Sequence, residues 1–111
     1  MTSNGEAAGR FSDPGLLILA SLSAGPKHGY AMIEDIAAFS GTHLEPGTLY
    51  GALARLEHGG WVEPLAAEDR RRPYQLTGLG RATLDARLAT LERIVQAGRT
   101  RTHVSNTRET R

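Results

Sequence analysis

The sequence predicts a mainly α-helical domain that carries a two-stranded β hairpin and ends in a long helix. Three observations support this fold class. Apolar residues recur at helical spacing in four segments, proline and glycine mark the limits of those segments, and two short runs of strand-forming residues flank the polar stretch AAEDRRR. A chain of 111 residues suits one small domain with one modest core.

The first predicted helix follows Asp13-Pro14, an N-cap residue and a proline that suits a first helical turn. The run GLLILASLSAG continues the helix until Gly25-Pro26, a strong stop signal. The apolar residues of this run lie on nearly every side of the helix. We therefore expect this helix to be largely buried.

The second predicted helix covers KHGYAMIEDIAAFSG and closes at Gly41. Met32, Ile33 and Ile36 follow the helical spacing of one buried face. We also assign Tyr30, near the start of this helix, to the core.

The third predicted helix begins near Pro46 and ends at Gly59-Gly60. A narrow apolar stripe follows one side of it: Leu49, Leu53 and Leu56. At ~100° per residue the other side carries small and basic residues, with Tyr50 on the flank: Thr48, Gly51, Arg55 and His58. Such a helix is packed on one side and open on the other.

The stretches WVEPL and RPYQLT predict two short strands of an antiparallel hairpin. The connection between them places Arg70, Arg71 and Arg72 at or beside the tip. Two strands alone are marginally stable in water, so we expect the hairpin to pack against the helices.

Thr77 is the predicted N-cap of the last helix, which we place over residues 78–98. Its apolar positions are spaced by 4, 3 and 4 residues, as in the seam of a coiled coil: Leu84, Leu88, Leu91 and Val95. About 20 residues of helix reach about 30 Å, which is longer than so small a domain needs. The sequence therefore predicts a homodimer with these four residues in its interface.

The segments outside these elements are polar. Residues 1–10 are predicted to form a flexible arm, and residues 99–111 a flexible basic tail with four arginines. The compact domain is then expected over residues 11–77, followed by the dimerisation helix over residues 78–98.

Composition argues against several classes of function. The chain contains no cysteine, which excludes disulfides and thiolate sites and fits a cytoplasmic protein. No apolar run approaches the ~20 residues of a membrane span. The histidines lack metal-ligand spacing, and no nucleophile elbow or glycine-rich phosphate loop is present. We predict no metal, no cofactor and no enzymatic activity.

The order of three helices, a hairpin and a helix is that of a winged helix-turn-helix domain followed by a dimerisation helix. Three stretches closely resemble the short subgroup of the PadR-like family of transcriptional regulators: HGYAMIEDI (28–36), EPGTLYGALARLEHGGWVE (45–63) and RRRPYQLTGLGRATL (70–84). The signature of the family's recognition helix, G-[ST]-L-Y-x-x-L-x-R-L-E-x-x-G, matches from Gly47 to Gly60. The resemblance implies a dimeric DNA-binding repressor, often tuned by small aromatic or drug-like ligands.

With this signature, the exposed side of the third helix is the predicted DNA contact. The hydroxyls of Thr48 and Tyr50 suit phosphate oxygens, and Arg55 suits guanine. The small residues Gly47 and Gly51 permit close approach to the sugar-phosphate backbone. The alternative is an ordinary solvated helix face.

Two further groups complete the predicted DNA contacts. Lys27 and His28 lie at the start of the second helix, where a phosphate is commonly held. The arginine triplet suits the DNA backbone or a narrowed minor groove, unless it forms a charged loop paired with Glu68 and Asp69.

We therefore predict a sequence-specific DNA-binding transcriptional regulator. It would act as a homodimeric repressor of a pseudo-palindromic operator, relieved by a small aromatic or drug-like ligand. The net charge of only +1 keeps an alternative open, a winged-helix module that binds a protein on the same face without specific DNA binding.

Overall fold

The computed structural model describes residues 13–109, with side chains through Thr102. Its elements follow the predicted order: α1 (Pro14–Leu22), α2 (Gly29–Ser40), α3 (Pro46–His58), β1 (Val62–Pro64), β2 (Tyr74–Leu76) and α4 (Gly78–Glu109). The arm predicted over residues 1–10 lies outside the described residues. None of the described helices is long and apolar enough to cross a membrane.

Helix α1 is capped and buried as predicted. The carboxylate of Asp13 accepts a hydrogen bond from the backbone N–H of Leu16 at 3.0 Å. Six of its nine residues are buried: Leu16, Leu17, Ile18, Leu19, Ser21 and Leu22. Because α2, α3, α4 and β2 all pack against it, α1 lies at the centre of the core.

Helices α2 and α3 pack against α1 and against each other. Met32 and Ile36 of α2 are fully buried, and Gly41 ends the helix in the left-handed conformation at φ 75°. The assignment of Tyr30 to the core is wrong, because its side chain is 67% exposed. Tyr30 lies two residues from Met32, about 200° around the helix, and therefore points away from the buried face.

The hairpin is antiparallel, with Val62 opposite Leu76 and Pro64 opposite Tyr74. It packs on the helical part of the domain through its backbone. Lys27, just before α2, donates to the carbonyl of Tyr74 at 3.1 Å and accepts from its N–H at 2.9 Å. The residues before α2 thus extend the hairpin on one side and fix the wing relative to the helices.

Helix α4 starts at the predicted N-cap but is longer than predicted. The hydroxyl of Thr77 accepts from the N–H of Gly80 at 3.0 Å and donates to the carbonyl of Gly60 at 2.6 Å. The helix does not end at Gly98 as predicted but continues to Glu109. One glycine inside a helix costs only about 1 kcal/mol relative to alanine. No proline follows it to stop the helix, so residues 99–109 of the predicted tail are helical. Residues 110–111 of that tail lie outside the described residues.

Candidate nucleic-acid interface

Helix α3 has the two unlike sides that its sequence predicts. The buried side contributes to the core: Leu49, Ala52, Leu53 and Leu56. The opposite side is open to solvent: Thr48, Gly51, Arg55 and His58. Tyr50 lies on the flank with 48% of its surface exposed. The helix therefore completes the core and still presents hydroxyl and cationic groups to a partner.

Two glycines on the open side of α3 leave their positions without a side chain. A Cβ added at Gly47 would meet no atom within 4 Å, and one at Gly51 would meet only Nη1 of Arg55, at 3.8 Å. Neither glycine has a positive φ. Since neither packing nor backbone conformation requires them, what they provide is a surface to which another molecule can come close.

A groove of about 560 Å³ lies where α3, the start of α2 and the hairpin meet. Its walls come from all three elements: His28, Gly29, Tyr30, Glu34, Tyr50, Arg70, Arg71, Arg72 and Tyr74. Five of the predicted DNA contacts therefore share one cleft, although they come from three separate parts of the sequence. Thr48 and Arg55 lie outside the groove lining, on the exposed side of α3.

The arginines of the wing are held by a tight turn. Glu68 and Arg71 exchange two backbone hydrogen bonds, of 2.7 and 2.9 Å, around Asp69, which has a φ of 56°. Aspartate tolerates this left-handed conformation better than most residues. Nη1 of Arg71 lies 3.4 Å from Nε2 of His28, which links the wing to the start of α2.

The alternative of a self-paired charged loop finds no support. Within residues 13–102, the ion pairs join Lys27 to Asp35 and Arg87 to Asp13, and none joins the arginine triplet to Glu68 or Asp69. All three arginine residues are exposed. Their charge is therefore available to an anionic partner.

Lys27 is the weakest of the predicted contacts. Its ammonium donates to the carbonyl of Ser21 at 2.6 Å and lies 3.8 Å from the carboxylate of Asp35. Its side chain is only 19% exposed. The positive charge thus connects α1 to α2 and does not reach the groove.

Tyr74 lines the groove and was not among the predicted contacts. Burial raises the pKa of the Tyr74 hydroxyl above its ordinary value, the negative charge of Glu57 raises it further, and Arg72 opposes both. The phenol therefore stays protonated well above neutral pH and can donate a hydrogen bond to an acceptor in the groove. The sequence contains a signal for this contact, because only Pro73 separates Tyr74 from the arginine triplet.

The predicted dimer seam on α4 is divided by the structure. Leu84 is 2% exposed in the chain's own core, so it is reassigned from the dimer interface to that core. Leu91 is half-buried, whereas Leu88 and Val95 are exposed. Ile94, which is not part of the predicted seam, is 60% exposed beside them. Shallow concavities of about 510 and 370 Å³ flank Leu91.

Comparison with known proteins shows which proteins this chain resembles. The family model described as the transcriptional regulator PadR-like family matches residues 18–86. The chain is 45% identical over 85 residues to an uncharacterized 37.1 kDa protein in transposon TN4556 of Streptomyces fradiae. That match covers 77% of this chain but spans only 25% of the length of the curated relative.

Two solved structures share the fold. A PadR family transcription regulator from hypervirulent Clostridium difficile R20291 has a TM-score of 0.70 and 24% identity, over 76% of this chain and 92% of its own. BpsR of Bordetella bronchiseptica, a protein whose DNA binding is regulated by 6-hydroxynicotinic acid, has a TM-score of 0.65 and 18% identity, over 80% of this chain and 65% of its own.

Proposed function

The chain belongs to the transcriptional regulator PadR-like family, and we propose that it is a homodimeric repressor that binds a pseudo-palindromic operator in double-stranded DNA. One observation carries this proposal. The open side of α3 adjoins a groove into which the wing brings three arginines that have no carboxylate partner within residues 13–102. We place this activity in the cytoplasm and assign the chain no enzymatic role.

In this proposal α3 lies in the major groove, which is about 12 Å wide and admits one helix. Arg55 reads a guanine through O6 and N7, and the hydroxyls of Thr48 and Tyr50 bind phosphates on the groove wall. Gly47 and Gly51 let the backbone of α3 approach closely, since neither carries a side chain that would hold the DNA away.

The wing and the start of α2 bind the backbone beside that major groove. Arg70, Arg71 and Arg72 neutralise phosphates or enter a narrowed minor groove. His28 supports them, because its ring contacts Arg71. These contacts position the protein, whereas Arg55 selects the sequence.

A second copy of the chain covers the apolar strip of α4. Four residues form this strip: Leu88, Leu91, Ile94 and Val95. Burial of apolar side chains between two helices is the main driving force for such pairing. The dimer would present two α3 helices to half-sites about one duplex turn apart, roughly 34–36 Å.

We also propose that a small aromatic or drug-like ligand relieves repression. The support is the resemblance to regulators tuned in this way, together with BpsR, whose DNA binding responds to an aromatic acid. Residues 78–109 of α4 contain no Trp, Tyr or Phe. A ligand stacked between aromatic side chains of two paired α4 helices is therefore not part of the proposal.

The test is a binding titration with the promoter region next to the coding sequence, using a random duplex as competitor control. The wild-type protein should bind the promoter selectively and lose about 10³- to 10⁵-fold in affinity between 50 and 200 mM salt, if about six to ten phosphates are neutralised. The double variant Tyr50→Ala/Arg55→Ala should lose selective binding and keep its melting temperature.

Arg93→Ala is the matched control, because Arg93 is an exposed arginine on α4, away from the groove. It should bind like the wild type. Unchanged promoter affinity in the double variant would refute the assignment of α3. Equal, weak binding of wild type to both duplexes would refute this promoter as the operator. Absence of binding at both salt concentrations would favour the protein-interaction module.

A further inference from the structure

We propose that Gly29 is the positioning residue for Tyr50. The missing side chain at Gly29 leaves a seat for the Tyr50 ring against the start of α2, and this seat fixes the phenol at the groove. The inference rests on the proposed function, in which that hydroxyl binds a DNA phosphate.

The seat is defined by distances around Gly29, the buried first residue of α2. A Cβ added there would lie 2.5 Å from Cζ and 2.8 Å from Cε1 of Tyr50, and closer still to the hydroxyl oxygen. Carbon atoms in van der Waals contact are about 3.5–4.0 Å apart. Any side chain at this position would therefore occupy the space of the tyrosine ring.

Space, not backbone conformation, accounts for the glycine at this position. The φ of Gly29 is not positive, so an L-residue fits its backbone. At Gly80 of α4 an added Cβ would also meet a close atom, the backbone carbonyl oxygen of Trp61, but the other helical glycines have more room. At Gly15 an added Cβ would lie 3.6 and 3.7 Å from its nearest atoms, and at Gly98 it would meet none within 4 Å. Gly29 is thus set apart from these by its contact with Tyr50.

When a side chain is introduced at Gly29, we expect the Tyr50 ring to move and the fold to stay unchanged. The atoms that would clash are the far end of a side chain that is 48% exposed, so rotation toward solvent relieves the clash. That rotation moves the phenol away from the groove it shares with His28 and Arg71. O–H···O hydrogen bonds require about 2.5–3.0 Å between oxygens, so a shift of even 1 Å removes a phosphate contact.

Four variants test the inference: Gly29→Ala, Gly15→Ala, Tyr50→Ala and Gly29→Ala/Tyr50→Ala. Gly15→Ala is the matched control, another glycine in a first helical turn but with room for the methyl group. Three quantities are measured for each: the melting temperature, promoter affinity in the titration above, and, where Tyr50 is present, the NOEs between its ring and residue 29.

We expect Gly29→Ala to weaken promoter binding by about tenfold or more, as for loss of a hydrogen bond to a charged group. Its melting temperature should stay within about 3 °C of wild type, and the ring NOEs to residue 29 should change or vanish. Gly15→Ala should bind within about twofold of wild type. In the Tyr50→Ala background, Gly29→Ala should change affinity by less than about twofold, because no ring remains to displace.

Three results would overturn the inference. One is a Gly29→Ala variant with wild-type affinity, while the wild type itself binds selectively. Another is a loss of promoter affinity, as large as that caused by Gly29→Ala alone, when Gly29→Ala is added to Tyr50→Ala. This result would mean that Gly29 acts through another group. The third is an unchanged NOE pattern in Gly29→Ala. A wild-type protein without selective, salt-dependent binding refutes the proposed function itself, and the NOEs of the free protein still decide whether Gly29 seats the ring.

Discussion

Helices α1 and α4 use apolar residues in opposite ways. Helix α1 has nine residues, six of them buried in the chain's own core. Helix α4 has 32 residues, and Leu84 is the single buried apolar side chain among those described through Thr102. A helical apolar pattern thus identifies a face that avoids water. It does not identify what covers that face, which is the rest of the domain for α1 and, in our proposal, a second chain for α4.

The largest expected effect is on α1. Ile18 is fully buried, so Ile18→Ala should lower the free energy of unfolding by about 2–5 kcal/mol through lost burial and the remaining cavity. Ile94→Ala is the matched control on α4, since Ile94 is 60% exposed. At concentrations where the chain is monomeric, it should change stability by no more than about 0.5 kcal/mol. Denaturant unfolding followed by the fluorescence of Trp61 measures both, and equal losses would contradict the comparison.

The next largest expected effect is on dimerisation through the exposed part of α4. Leu88→Glu places a charge in the apolar strip of each copy and should weaken dimerisation by about 2–3 kcal/mol, about 30- to 150-fold, with little change in the monomer. Ala89→Glu adds the same charge at the neighbouring exposed position, outside the strip, and should leave the dimer intact. Sedimentation velocity over a range of concentrations distinguishes them. An unchanged dimer in Leu88→Glu would remove this strip from the interface.

The features that could be predicted from the sequence are those with a local signal. The N-cap at Asp13, the buried run of α1 and the two sides of α3 follow from residue type and spacing within one element, and each is present in the structure. The order of helices and strands was predictable for the same reason, because proline, glycine and β-forming residues mark each limit.

The features that could not be predicted depend on contacts between distant parts of the chain. Lys27 pairs with Asp35 and hydrogen-bonds to Ser21 because α1 and α2 pack together, and nothing in the residues next to it indicates this. The seat of Tyr50 at Gly29 likewise joins α3 to the start of α2. Leu84 fits the spacing of the predicted seam, and only packing against the core separates it from Leu88.

A smaller expected effect on stability concerns the removal of a buried hydroxyl from α1 and of an exposed hydroxyl from α4. Ser21 of α1 is 1% exposed and donates to the carboxylate of Asp35 at 2.7 Å. Ser21→Ala should therefore cost about 1–2 kcal/mol, because it removes a buried hydrogen bond to a charged group. Thr90 of α4 is exposed and donates to the carbonyl of Ala86 in its own helix at 3.3 Å, so Thr90→Ala should stay within about 0.5 kcal/mol. Thermal unfolding of the two variants side by side tests whether the burial of α1 makes this difference.

The smallest effect concerns the part of α4 that extends beyond the core. Gly98 is a helical residue without a positive φ, and an added Cβ would meet no atom within 4 Å. Gly98→Ala should therefore stabilise the helix locally by up to about 1 kcal/mol and slow amide hydrogen exchange of residues 94–102 up to about fivefold. Because this segment lies outside the core, the melting temperature of the domain should hardly change. If Gly98 instead ended the helix in a left-handed conformation, alanine would strain the cap and exchange would accelerate, so the direction of the change decides where α4 ends in solution.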